Sequence, residues 1–133
     1  MASRLYNRYP REARLLHKPE FDRVYRNGRR RTSRQFIVFS IPNGLQRSRF
    51  GMSIGRALGG AVMRNRIRRR LREILRQHRQ EISSGWDIIL HPRGSVATAE
   101  FRALTEELLG LLRGALIHAP APAAPSGASP ATS

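Results

Sequence analysis

Between Met63 and Ile82 the chain carries two interleaved patterns at one helical period. With each residue advancing about 100° around a helix axis, Met63, Ile67, Leu71, Ile74, Leu75, His78 and Ile82 share one arc of the circumference. That arc predicts a long amphipathic helix from about Ala61 to Ile82, stopped by Ser83-Ser84-Gly85, with its apolar side on a core. The rest of its surface is nearly all cation. Asn65, Arg68, Arg69, Arg72, Arg76 and Arg79 group together, Arg66 and Arg70 lie beside them, and Arg64 opens the run. Residues 64–79 hold eight Arg and one acid, Glu73. Arg68, Arg72 and Arg76 are successive i, i+4 neighbours of like sign, which destabilises an isolated helix by a few tenths of a kcal/mol per pair. A fold for this chain must bury one side of that helix and supply anions, or open water, to the other. The ordinary reading of a charge run is a solvated face. The absence of interleaved Glu favours phosphates as the missing anions.

The wider charge distribution points the same way. The 133 residues carry a net charge of +16, and 24 of the 25 cations are Arg, Lys18 being the exception. Residues 1–85 hold 22 cations against five acids, +17, whereas residues 86–133 hold three against four, −1. Coding bias accounts for Arg in place of Lys, but not for the number or clustering of cations. Arg suits bidentate phosphate contacts and stacking on bases. There is no Cys, which excludes disulfides, thiolate zinc sites and Cys nucleophiles. No run approaches the length of a membrane span, and the N-terminus has no apolar signal core. The expectation is a cytoplasmic protein of one-domain size whose partner is a polyanion, with no membrane and no obligate protein partner.

Around the basic helix the sequence predicts a short chain of elements. Residues 1–14 read as a basic flexible arm and 119–133, with six Ala and four Pro, as a disordered tail. A single domain over 15–118 lies between them. Pro19 and Gly28 bracket a first helix, with Phe21, Val24 and Tyr25 on one face. Arg29-Arg30-Arg31 follows as a basic connector. Residues 35–41 and 49–54 are strand-like, Trp86–Leu90 reads as a buried strand, and a last helix spans about Val96 to Ile117. The class is α+β, with helices packed on one small sheet.

No catalytic constellation accompanies these elements. His17, His91 and His118 have no partner at metal-ligand spacing, and His78 reads as a packed core histidine. Asp87, inside an apolar strand, is expected to be structural. Gly55 and Gly59-Gly60 complete no phosphate-cradling motif. Phe21 and Tyr25 share a helix face and could either anchor that helix or offer a stacking platform for single-stranded nucleic acid; both readings stand on sequence alone.

Gly59-Gly60-Ala61-Val62-Met63-Arg64-Asn65-Arg66-Ile67-Arg68-Arg69-Arg70-Leu71-Arg72-Glu73 resembles the signature of the bacterial ribonuclease P protein subunit. Phe21–Gly28, Arg34-Gln35-Phe36 and Trp86–Ile89 are similar to that family too, so the resemblance covers roughly residues 10–117. It implies an α-β sandwich of order α-β-β-(β)-α-β-α with a left-handed βαβ crossover through the basic helix. It also implies a particle in which a catalytic RNA, using Mg²⁺ that the RNA mainly holds, removes the 5′ leader of precursor tRNA. In that particle Arg64, Asn65, Arg66, Arg68, Arg69, Arg70, Arg72 and Arg76 would contact the catalytic RNA. Phe21, Tyr25 and Phe39 would line a cleft for the leader. The polypeptide would hold no metal and perform no catalysis by itself. Competing expectations are a ribosomal-type RNA-binding or RNA-chaperone protein, a DNA-binding module and a stand-alone nuclease.

Overall fold

A computed structural model of the chain describes residues 14, 15 and 17–117. The expected N-terminal arm, except Arg14, and the Pro/Ala tail lie outside the described residues. Helix α1 (Lys18–Asn27) is followed by strands β1 (Arg29–Thr32), β2 (Phe36–Pro42) and β3 (Arg49–Met52). Helix α2 (Ala61–Gln77), strand β4 (Trp86–Pro92) and helix α3 (Phe101–Ile117) complete the order. The strands form one mixed sheet in the order β1-β2-β4-β3. β1 and β4 pair antiparallel with β2, while β3 lies parallel to β4, so α2 is the crossover between two adjacent parallel strands. The α+β sandwich with its crossover through the basic helix is therefore as expected.

Strand alternation divides the sheet into two faces. Phe36 and Val38 of β2, Phe50 of β3, and Ile88 and Leu90 of β4 point to the larger core. There they meet Ile67, Leu71, Ile74 and Leu75 of α2 and Leu104, Leu108, Leu111 and Leu112 of α3. The opposite face carries Phe39, Ile41 and Ile89, which pack with Leu15 and with Phe21 and Val24 of α1. Two glycines permit the close approach of α1. A Cβ on Gly28 would lie 2.5 Å from the Val24 carbonyl oxygen, and one on Gly51 would lie 2.5 Å from the Phe21 ring.

Several boundaries differ from the sequence expectation. The Arg29-Arg30-Arg31 connector is instead the edge strand β1, in register with β2 from Arg29↔Ser40 to Thr32↔Ile37. All its residues are exposed, so it has no apolar alternation to betray it, and its charges keep the open edge from pairing with another chain. α2 ends at Gln77, not Ile82; His78 leaves helical geometry and Arg79–Glu81 form a 3₁₀ turn. His78 is thus no core residue: it sits at the helix end and its Nδ1 lies 2.7 Å from Glu81 Oε2. Met63, in the first turn of the helix, is 38% exposed because the core begins only at Ile67. α3 starts at Phe101, not Val96, where Glu100 accepts the Ala103 N–H at 2.9 Å and caps the first turn. Val96 and Ala97 are buried within a preceding 3₁₀ turn.

Candidate nucleic-acid interface

The α2 ridge is built by the core contacts beneath it. Burial of Ile67, Leu71, Ile74 and Leu75 fixes the rotation of the helix and turns the arginines outward. Arg66 and Arg69 are exposed, as is Asn65, whose Oδ1 accepts from Arg68 at 2.8 Å. Arg64 donates from Nε to the Gly59 carbonyl at 3.1 Å. Two ridge residues are occupied internally. Arg76 lies 2.6 Å from Glu73, and its hydrogen bond, reinforced by Gln77, holds that carboxyl below its usual range despite partial burial. Arg70 donates to the Val96 and Ala99 carbonyls at 2.8 and 2.6 Å, with its guanidinium 5.6 Å from the Phe101 ring centroid. Arg70 therefore ties α2 to the start of α3, with two of its nitrogens already committed.

Arg68 and Arg72 face differently. With Arg14, Leu15, Phe21, Phe50, Gly51 and Met52 they line a groove of about 170 Å³ between α2, β3 and α1. Leu15 N–H donates to the Phe50 carbonyl at 2.9 Å and seats this segment beside β3. Burial, and then the charges of Arg14 and Arg68, lower the Arg72 pKa. The groove is lined by three guanidinium groups and no carboxylate. The Arg14 Nε is buried without a hydrogen-bond partner. Arg14 was not among the expected site residues, since nothing in its basic sequence context separates it from the other arm arginines.

The aromatic residues occupy the α1 side of the sheet. Tyr25 and Phe39 meet edge to face, centroids 5.0 Å apart and planes at 77°. Phe21, one turn earlier, lies against Gly51 and lines the arginine groove instead. Phe21 thus anchors α1 and lines the groove, while Tyr25 is 39% exposed. A third ring, His91, joins Tyr25 and Phe39 at 5.5 and 5.3 Å and was not singled out in the sequence. The β4 alternation Asp87, Ile89, His91 was the available signal. Asp87 itself is fully buried and saturated: it accepts from Arg49 at 2.7 and 2.8 Å, Asn43 at 2.9 Å and Arg23 at 3.4 Å. It holds α1, β3 and β4 together, as its apolar setting predicted.

A four-stranded sheet, an arginine-faced crossover helix on one side and a partly exposed aromatic cluster on the other define a small α+β nucleic-acid-binding protein. The sequence profile of the Ribonuclease P family matches residues 9–116. The ribonuclease P protein component of Desulfovibrio desulfuricans is 37% identical over 122 residues, covering 89% of this chain and 94% of that protein. That of Caldanaerobacter subterraneus is 37% identical over 99 residues, covering 74% and 85%. Among solved structures, the RNase P protein from Thermotoga maritima superposes with a TM-score of 0.71 at 31% identity, covering 76% of this chain and 96% of that one. The Staphylococcus aureus RNase P protein gives 0.71 at 30%, covering 79% and 96%. The chain belongs to the ribonuclease P protein family, the protein subunits of a ribonucleoprotein endoribonuclease of tRNA processing.

Proposed function

We propose that the α2 ridge grips the catalytic RNA of ribonuclease P and that the α1 face of the sheet receives the 5′ leader of precursor tRNA. The observation that carries this reading is a set of six arginines, Arg14, Arg64, Arg66, Arg68, Arg69 and Arg72, with no carboxylate partner among the described residues. Held on a rigid helix or beside it, such charges release counterions from RNA on binding. Phe21 lines the arginine groove and, like Phe39, packs on the Leu15, Val24 and Ile89 cluster, so one strand can run from phosphate contacts to stacking contacts. The protein's contribution is positioning: contacts to the leader add affinity and hold the scissile phosphate in place for the RNA. Mg²⁺ supplies the activated water in such hydrolysis. The ridge carboxylate Glu73 is taken by Arg76 and Gln77, and the donors around it fit no ion, so the reading assigns the metal to the RNA.

Binding of the reconstituted particle to precursor tRNA, with and without its leader, tests this. Tighter binding of the leader-bearing RNA is expected, with cleavage that requires the RNA subunit. Equal affinity points to a general RNA-binding or chaperone role, and cleavage by the RNA-free protein would show a stand-alone nuclease.

A further inference from the structure

We propose that His91 is a positioning residue for the aromatic cleft: its Nε2 accepts the Tyr25 hydroxyl and holds that ring edge-on to Phe39, so that a fixed stacking face meets a base of single-stranded RNA. The inference rests on the leader reading above and adds a residue to it.

The three rings come from three elements, Tyr25 from α1, Phe39 from β2 and His91 from β4, and every pair lies within 5.0–5.5 Å. The Tyr25 oxygen is 2.7 Å from His91 Nε2, a short hydrogen bond spanning 66 residues of sequence. The surroundings fix its sense. Burial raises the Tyr25 pKa, with a Ser53 hydrogen bond opposing, so the phenol keeps its proton. Burial, and then the charge of Arg30, lowers the His91 pKa, so at neutral pH its ring is uncharged. An uncharged imidazole has one acceptor nitrogen, and a Ser53 hydroxyl that lowers the Tyr25 pKa donates to the phenol oxygen, which leaves the phenol proton for Nε2. The phenol therefore donates. Tyr25 projects from the face of a short helix and is 39% exposed, so the His91 bond adds to Phe39 packing and the Ser53 contact in restraining its ring. Ordering a side chain before its ligand arrives removes that cost from binding.

The test uses the particle reconstituted with the catalytic RNA and measures affinity for precursor tRNA with a leader and for the same tRNA without one. His91→Ala and Tyr25→Phe should each weaken the leader-bearing RNA roughly threefold to tenfold, as expected for one hydrogen bond, and leave the leaderless RNA unchanged. The double variant should be no weaker than the worse single variant, because both remove the same bond. His91→Gln, which restores an acceptor at similar reach, should recover most of the loss. Thermal melts of Tyr25→Phe and His91→Gln should match the parent, and these two carry the test if His91→Ala does not fold. Equal losses on both RNAs, an additive double variant, or a Gln variant as weak as Ala would overturn the proposal. If the parent particle discriminates between the two RNAs and His91→Ala discriminates equally, the His91 role fails alone. If the parent does not discriminate, the leader reading and the His91 role fail together.

Discussion

Arg70 and Arg72 lie two positions apart on α2 and end in opposite surroundings. The Arg70 guanidinium is folded onto the Val96 and Ala99 carbonyls and the Phe101 ring, whereas Arg72 faces a groove it shares with two other cations. Replacing Arg70 with Ala frees two carbonyls and removes an inter-helix tie. It should lower unfolding free energy by about 1–3 kcal/mol, the scale of charged hydrogen bonds lost at a part-buried site. Replacing Arg68 and Arg72 with Ala should do the reverse: little change in the thermal midpoint and a marked loss of RNA affinity, read by filter binding. Large unfolding in that double variant would make the groove arginines structural. From sequence all the arginines of this run look alike. The wheel places Arg70 at the flank of the ridge, but only the path of the residues before α3 shows that backbone carbonyls wait there. His91 was hidden for a related reason: it has no sequence neighbour to pair with, and its partner comes from a helix 66 residues away.

The elements themselves were legible where an apolar period marked them. α1, β2, β4 and the core face of α2 follow from Phe21, Val24 and Tyr25, from Phe36 and Val38, and from Ile67 to Leu75. β1 was not, because an exposed arginine strand is selected by the backbone of β2 and not by its own side chains. The docking of α1 on the sheet depends on the missing side chain at Gly51. Gly51→Ala would place a methyl 2.5 Å from the Phe21 ring. Displacing that ring should cost about 1–3 kcal/mol, an overpacking penalty, seen as a lower denaturant midpoint with an unchanged slope. The link from β1 to β2 is clamped to α3 by Glu107, which accepts the Gln35 N–H at 2.7 Å, the Gln35 side-chain amide at 3.0 Å and the Ser33 hydroxyl. Burial opposes ionisation there, but these hydrogen bonds and the charge of Arg34 outweigh it, and the Glu107 pKa is lowered. A depressed carboxyl pKa contributes stability above its unfolded value that disappears as pH falls through the folded one. Stability should therefore decline on acidification below the ordinary glutamate range, and Glu107→Gln should flatten that part of the pH profile. A Gln variant with the parental acid limb would contradict the assignment.

At the scale of the whole molecule, the crossover helix carries seven Arg against one acid, Glu73, and Arg14 joins them from the segment beside it. The sequence showed the excess and its helical period, and the fold explains why it is tolerable: the core side of α2 is secured by four fully buried side chains. It could not show that Arg14 joins Arg68 and Arg72, because that meeting depends on a single bridge from Arg14 to Phe50. The central claim is that these unpaired arginines are neutralised by RNA phosphates. Its most direct test is the salt dependence of protein binding to the catalytic RNA. Six phosphate contacts predict log K falling with log salt at a slope of about −4 to −5, and Arg68→Ala with Arg72→Ala should make it shallower by about 1.5–2. A flat response, or a slope the double variant leaves unchanged, would contradict the account.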